Sequence, residues 1–321
     1  MRMRKISVVV PFYKGNKYLD TLKTALDEAC SYYQERVEVI LVNDSPDEQV
    51  DKNRIESERY DLIIISHIRN QGIHQARVTG LCKSNGEYVL FLDQDDSINK
   101  NFFMEMGAAL DKDKSIAFVY ANGVFEDENG NSKLILNSYG KAYGVKNYKT
   151  LLKSGNLLAS PGQCLIRKSC IPAQWIENIM KTNCADDYFL WLLMVKEHNV
   201  KYVNRVLYEH ITTGENTSGN KMAGYKSDLE LYQILDELNV FSDGEIKKFG
   251  RRCSANYNKA AKKEYSHFDW YYSHVVERFE RLKMKIIGYA ISLTGETLCS
   301  LEDKGLSLIH ISEPTRPEPI S

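Results

Sequence analysis

The sequence predicts an α/β fold: a mostly parallel central sheet with flanking helices, continued by a helical C-terminal extension. Three observations carry this. Four short runs, Ile6–Val10, Val37–Val42, Leu62–Ile65 and Tyr88–Leu92, are rich in Val and Ile and do not alternate with polar residues, which suits parallel strands covered on both faces. Helical patterns lie between those runs, and strand alternating with helix is the signature of a doubly wound parallel sheet. Beyond residue 220 the helical pattern continues to 292.

Taken in order, the N-terminus MRMRKISVVVPFYKG pairs basic residues with an apolar run that is broken by Pro11 and has no small-residue cleavage site. It reads as a first strand, not a leader. Tyr18, Leu19, Leu22, Ala25 and Leu26 mark a helix after it, the charged stretch 47–59 a second, and Ile73–Cys82 a third. After Asp96, Phe102–Leu110 reads as a helix and Ile116–Tyr120 as a strand. Residues 123–160, rich in Gly, Asn, Ser and Tyr, read as loops with a small antiparallel piece. Gln163–Ile166 and Val200–Tyr208 read as strands, with a helix at Tyr188–Val195 between them. The organisation expected is a catalytic domain over 1–215, with halves 1–120 and 121–215, then a helical region 216–304. The tail 305–321 carries three Pro in its last eight residues and is set aside as non-native.

Composition narrows the function. A net charge of −1 over 321 residues excludes a polycation built for nucleic acid. Seven Cys, an odd number without a CxxC, argue against a disulfide framework or a zinc ribbon and fit reduced thiols in the cytosol. No apolar run approaches the roughly 18 residues of a membrane span. Between 245 and 292 eleven Lys/Arg face five Asp/Glu, with Tyr257, Trp270, Tyr271, Tyr272 and Phe279 interspersed. Two readings of this segment stand open: a solvated helical face packed on the core, or a peripheral contact with anionic lipid at the inner face of the cell membrane.

In a doubly wound sheet, ligands bind outside the carboxyl ends of the strands. Strand one ends in Pro11-Phe12-Tyr13, strand two in Asn43-Asp44-Ser45, strand three in His67, Arg69 and Asn70, and strand four in Asp93-Gln94-Asp95-Asp96. Three carboxylates within four residues repel one another unless a cation joins them. Hard oxygen ligands suit Mg²⁺ or Mn²⁺, which also bind diphosphate oxygens. The alternative is an acidic turn capping the helix that starts near Asn101. Asp44 can accept the imide N–H of a uracil or thymine ring; an Asx-turn is its alternative. Arg69 and Arg77 can reach a diphosphate with a planar fork, or form surface ion pairs. Neither G-x-G-x-x-G nor G-x-x-x-x-G-K-[ST] occurs, which excludes the common dinucleotide and P-loop sites.

These residues resemble the family 2 glycosyltransferases with the GT-A fold. The carriers are Val8-Val9-Val10-Pro11-Phe12-Tyr13, Val42-Asn43-Asp44-Ser45, Arg69-Asn70-Gln71-Gly72 with Ala76-Arg77, and Phe91-Leu92-Asp93-Gln94-Asp95-Asp96. The likeness is strongest over 5–110 and continues to about 215 through Ser160-Pro161-Gly162-Gln163, Ala185-Asp186-Asp187 and His210. It implies that Pro11, Tyr13 and Asp44 surround the base of a UDP-type donor and that Asp93 meets its ribose or sugar. It further implies that Asp95 and Asp96, with His210, bind the metal. Gly162 lies in the acceptor loop. Asp187 matches the catalytic Asp of a Glu-Asp pair, and Asp186 stands where the family has Glu. Without the resemblance, Asp186 and Asp187 also read as first-turn acids of a helix, His210 as a packed histidine, and Trp175 and Trp191 as core.

The implied function is inverting transfer from a nucleoside-diphosphate sugar to an acceptor hydroxyl on a glycan or lipid-linked glycan, in surface polysaccharide synthesis. Asp187 would be the general base. A sugar-phosphate nucleotidyltransferase and a non-catalytic nucleotide-sugar-binding module are the rivals.

Overall fold

The computed structural model describes residues 5–126, 132–211, 220–261 and 275–294. Its centre is a mixed sheet of nine strands among these residues: β1 (Ile6–Phe12), β2 (Val37–Asn43), β3 (Tyr60–Ser66), β4 (Tyr88–Phe91), β5 (Ser97–Ile98), β6 (Ile116–Glu126), β7 (Ser132–Leu134), β8 (Cys164–Arg167) and β9 (Asn199–Ile211). The order is β3-β2-β1-β4-β8-β6-β9-β5, with β7 on β6. The first four strands are parallel, as their unbroken apolar runs require: every residue of β1, β2 and β4 is buried. From β4 onward the sheet turns mixed. The β4–β8, β8–β6 and β5–β9 ladders are antiparallel, while β6 and β9 run parallel.

Helices flank the sheet. In α1 (Leu19–Ser31), Leu19, Leu22, Ala25, Leu26, Ala29 and Cys30 form one buried stripe at helical spacing. The helix α3 (Ile73–Lys83) lies against β1 so closely that a Cβ on Gly80 would stand 2.3 Å from a methyl of Val9. α4 (Phe102–Lys112) follows β5, and α7 (Ala173–Glu177) precedes α8 (Asp186–Glu197). All residues of α8 from Asp186 to Val195 are buried, so this helix runs through the interior.

Two expectations are corrected. The charged stretch 47–59 forms only one helical turn, α2 (Lys52–Ile55); its charges have no apolar stripe to bury, so nothing extends the helix. Residues 123–160 are not mainly loop. Strand β6 runs on to Glu126 and pairs with β7 as a small antiparallel piece, and two helices follow, α5 (Tyr139–Val145) and α6 (Tyr148–Ser154). Each begins at a side-chain cap: Ser138 Oγ accepts from the Lys141 N–H and Asn147 Oδ1 from the Thr150 N–H.

The C-terminal helices are α9 (Lys221–Leu238), α10 (Asp243–Ala260) and α11 (Glu277–Thr294). They share a single hydrophobic cluster with the sheet, running from Ile6 to Ile287. Trp270, Tyr271, Tyr272 and the tail 305–321 lie outside the described residues. Among the described residues no helix is long and apolar enough to cross a membrane, and the cysteines are free thiols.

Candidate active site

A cleft of about 630 Å³ opens where the carboxyl ends of β1, β2 and β4 meet the start of α8. Pro11, Tyr13, Asp44, Arg77, Asp93, Asp95, Asp186, Asp187 and His210 all line it. Arg69 is exposed and Asp96 buried, and neither lines the cleft. Gly162 packs behind the wall made by Ser160 and Pro161: a Cβ there would meet the Tyr208 ring at 2.5 Å.

The strand ends are tied to one another through the loops. The Tyr13 N–H donates to Gln94 Oε1 at 2.8 Å, and Gln94 Nε2 donates back to the Tyr13 carbonyl at 3.0 Å. The acidic turn is thereby fixed to the end of β1. It does not cap α4, whose first residue follows Asn101 after the intervening strand β5.

Asp44 is a hub. It accepts the Gln71 and Gly72 N–H groups, each at 2.8 Å, and contacts His67 Nδ1 at 2.7 Å. Gly72 takes φ +87° to present that N–H, a conformation glycine adopts without penalty. His67 Nε2 in turn contacts Thr79 Oγ1 at 3.0 Å. The Asx-turn at this strand end is made by Asn43, whose Oδ1 accepts the Ser45 N–H at 2.9 Å. A carboxylate offers about four lone-pair sites. Three partners at Asp44 leave one of these sites, and the residue lines the cleft.

Arg77 is 3% exposed and forks between two carboxylates. Nη1 donates to Asp186 Oδ2 at 2.6 Å and Nη2 to Asp93 Oδ1 at 2.5 Å. Burial opposes its charge, but Asp186 and Asp93 outweigh that and hold it firmly protonated. The guanidinium expected to reach a diphosphate is thus engaged within the protein. The other basic residues of the lining are Lys14 and His210. Ser160 Oγ, at 3.3 Å, completes the surroundings of Asp93.

Asp187 occupies the first turn of α8. Its Oδ1 accepts the Tyr188 N–H at 2.7 Å, and its Oδ2 accepts Asn156 Nδ2 at 2.9 Å. Burial, then the charge of Asp186, pushes its carboxyl up to about 7, against the pull of Arg77, Asn156 and the Tyr188 N–H. The loop ahead of α8 is braced by α9: Glu230 accepts the Lys181 N–H at 2.7 Å and the Thr182 N–H at 2.9 Å. Trp175 and Trp191 are wholly buried. Trp175 Nε1 donates to the Asp186 carbonyl at 2.8 Å, so these rings are scaffold and not sugar platforms.

The other acids resolve into two positions. Asp95 lines the cleft, and burial, then Asp96 and Asp93, raises its carboxyl to about 7. Asp96 turns inward. It accepts the Tyr208 hydroxyl and pairs with His210 Nδ1 at 2.9 Å, which orients the imidazole at the cleft wall. The five carboxylates 93, 95, 96, 186 and 187 outnumber the basic groups Arg77, Lys14 and His210 around the cleft, an excess of acid that a divalent cation would relieve. Asp95 and His210 are the lining groups that could hold it, with Asp96 behind the histidine. Among the described residues no three His, Cys, Asp or Glu side chains already converge with metal-ligand geometry. A bound diphosphate would have to complete the coordination, as Mg²⁺ and Mn²⁺ sites commonly require.

Comparison with known proteins gives this site its context. The sequence pattern of "Glycosyl transferase family 2" matches residues 7–172, just over half of the chain. The chain belongs to this family. A curated relative, the "Uncharacterized glycosyltransferase YibD" of Escherichia coli (strain K12), is 24% identical over 247 residues, covering 73% of this chain and 71% of the relative. Among solved structures, S. aureus TarS 1-349 in complex with UDP-GlcNAc superposes with TM-score 0.55 at 17% identity, covering 84% of this chain and 76% of that one. The mannosyltransferase PcManGT from Pyrobaculum calidifontis, in complex with GDP-Man and Mn²⁺, gives TM-score 0.50 at 11% identity, covering 94% and 78%. The fold is therefore that of the GT-A glycosyltransferases, and membership in the family supplants the nucleotidyltransferase alternative.

Asn156 and Tyr208 are site residues that sequence reasoning missed, while His67 and Ser160 stood in the quoted motifs without the partners the structure gives them. Asn156 and Ser160 sit in a non-periodic loop. His67 stood among the strand-end residues, but its pairing with Asp44 left no mark in spacing. Tyr208 had one available signal, its position two residues before His210 on a strand, which puts both side chains on one face.

Proposed function

We propose that this glycosyltransferase moves a sugar from a nucleoside-diphosphate donor, of the UDP type, to an acceptor hydroxyl with inversion, using Mn²⁺ or Mg²⁺. The acceptor is a glycan or lipid-linked glycan of a surface polysaccharide. The observation that carries the reading is the meeting of Asp93, Asp95, Asp186 and Asp187 around one cleft of about 630 Å³, a volume suited to a bound cofactor-sized ligand. The two ligand complexes named above support the donor class, and the Mn²⁺ in one of them supports the ion.

In this reading Pro11 and Tyr13 border the base, and the open lone pair of Asp44 accepts a base N–H. Asp93, held by Arg77 and Ser160, takes the ribose or sugar hydroxyls. Asp187 removes the acceptor proton as the hydroxyl attacks the anomeric carbon. Its near-neutral carboxyl is the right strength for that transfer, and Asn156 with the Tyr188 N–H fixes its aim. Asp186 is pinned by Arg77 beside the acceptor, next to the Ser160–Gly162 loop. Asp95 and His210 would hold the ion, which would supply positive charge for the leaving diphosphate; Lys14 stands at the same lining. Inversion needs one base and no carboxylate nucleophile. Arg77 here positions acids, and Arg69 lies exposed outside the cleft lining.

The test is product stereochemistry. With a UDP-sugar of α configuration and an acceptor glycan, proton NMR of the new anomeric centre should show β linkage. An α linkage would rule out single displacement by Asp187.

A further inference from the structure

One face of α11 is firmly seated. Ile287 and Glu280 are buried, Glu280 Oε1 pairs with Lys153 Nζ at 3.2 Å, and a Cβ on Gly140 of α5 would stand 1.6 Å from the Met284 carbonyl. The opposite face is exposed. Val275, in the turn just ahead of α11, and Phe279, Leu282, Ile286 and Tyr289 of the helix follow one another at steps of four, three, four and three, and range from 38% to 66% exposed. That spacing keeps all five within a narrow stripe on one side of the helix. Arg278, Arg281 and Lys285, all exposed, flank one edge of it, and Lys283, half-buried, the other. From Arg281 to Thr294 the helix carries no carboxylate.

We infer that this face of α11 docks the chain on an anionic membrane surface. A helix with aliphatic and aromatic residues along one side and Lys/Arg beside them lies in the plane of the interface, its apolar side in the headgroup boundary. Each cation held near an anionic surface strengthens binding by roughly fivefold. A second copy of the chain would also meet a stripe of this spacing. Pairing two such faces, however, would set the exposed Arg278 and Lys285 of one copy beside those of the other. Phospholipid phosphates answer them directly. The inference deepens the proposal of a lipid-linked acceptor, which would be met at such a surface, but its test reads binding alone, without donor or acceptor.

The full chain is sedimented with vesicles of phosphatidylcholine, with and without phosphatidylglycerol. Binding to the phosphatidylglycerol vesicles is expected, falling with added salt, with little binding to phosphatidylcholine alone. Two double variants, Leu282→Ser with Ile286→Ser and Arg278→Glu with Lys285→Glu, should each lower partitioning by at least about tenfold. The charge-reversed pair alters only exposed side chains and should melt like the parent. Absence of vesicle binding, or variants that bind as the parent does, would overturn the inference. So would an ultracentrifuge result in which the stripe variants dissociate a dimer while vesicle binding stays unchanged.

Discussion

Asp187 is held between opposing influences. Burial and the charge of Asp186 favour its protonated form, while Arg77, Asn156 and the Tyr188 N–H favour the carboxylate. Replacing it by Asn keeps the shape and removes the proposed base, so turnover should fall by about two to four orders of magnitude, while donor affinity measured by calorimetry survives. A base works deprotonated. With its carboxyl raised to about 7, turnover should decline as pH falls below neutrality. Asn156→Leu removes a donor to the charged form and raises the carboxyl further, so the acid limb of the pH–rate profile should move upward. An unmoved limb would detach Asn156 from the base. The acids themselves were legible in the sequence because each ends an apolar strand or opens a helix. Asn156 was not, since it reaches Asp187 across 31 positions of chain from a loop with no periodic signal. Nor was the choice of Arg77 between ligand and protein, which depends on two carboxylates 16 and 109 positions away.

At the scale of elements, α3 and α8 bring the site together. Arg77 on α3 joins the end of β4 to the start of α8, and Gly80, one turn along, lets the helix sit on β1. Arg77→Met would leave Asp93 and Asp186 without their shared partner, at a cost of about 3–5 kcal/mol. A urea titration should show the midpoint falling accordingly, and an unchanged midpoint would contradict the clamp. Gly80→Ala should cost about 1–3 kcal/mol by overpacking against Val9, seen in the same titration. The four parallel strands could be read directly because burial on both faces removes polar alternation. The helices α5 and α6 were hidden by composition: Gly140 and Gly144 in α5 are poor helix formers, yet they allow the close contacts with Met284. Their caps, Ser138 and Asn147, were the signal available. The turn to antiparallel pairing after β4 was not legible, because β8 is a run of only four residues and its partners β4 and β6 are distant in sequence.

At the scale of the whole molecule, the C-terminal helices and the catalytic body share one core, and α9 braces the loop that aims Asp186 and Asp187. In the proposed function, the excess of carboxylates in the cleft would make donor and ion interdependent. Nucleoside diphosphate and Mn²⁺ together should raise the melting temperature more than the sum of each alone, and a chelator should remove most of the gain; at a hundredfold excess over Kd the expected stabilisation is about 2.7 kcal/mol. Additive shifts would mean that donor and ion do not share the cleft. The central claim, that Asp187 acts as base in a cleft holding donor and ion, is tested most directly by one rate. This is the release of nucleoside diphosphate from donor in the presence of acceptor and Mn²⁺, compared between the parent and Asp187→Asn at saturating donor. The expected result is turnover that requires the ion and falls by about two to four orders of magnitude in the variant. Equal rates in parent and variant would contradict it.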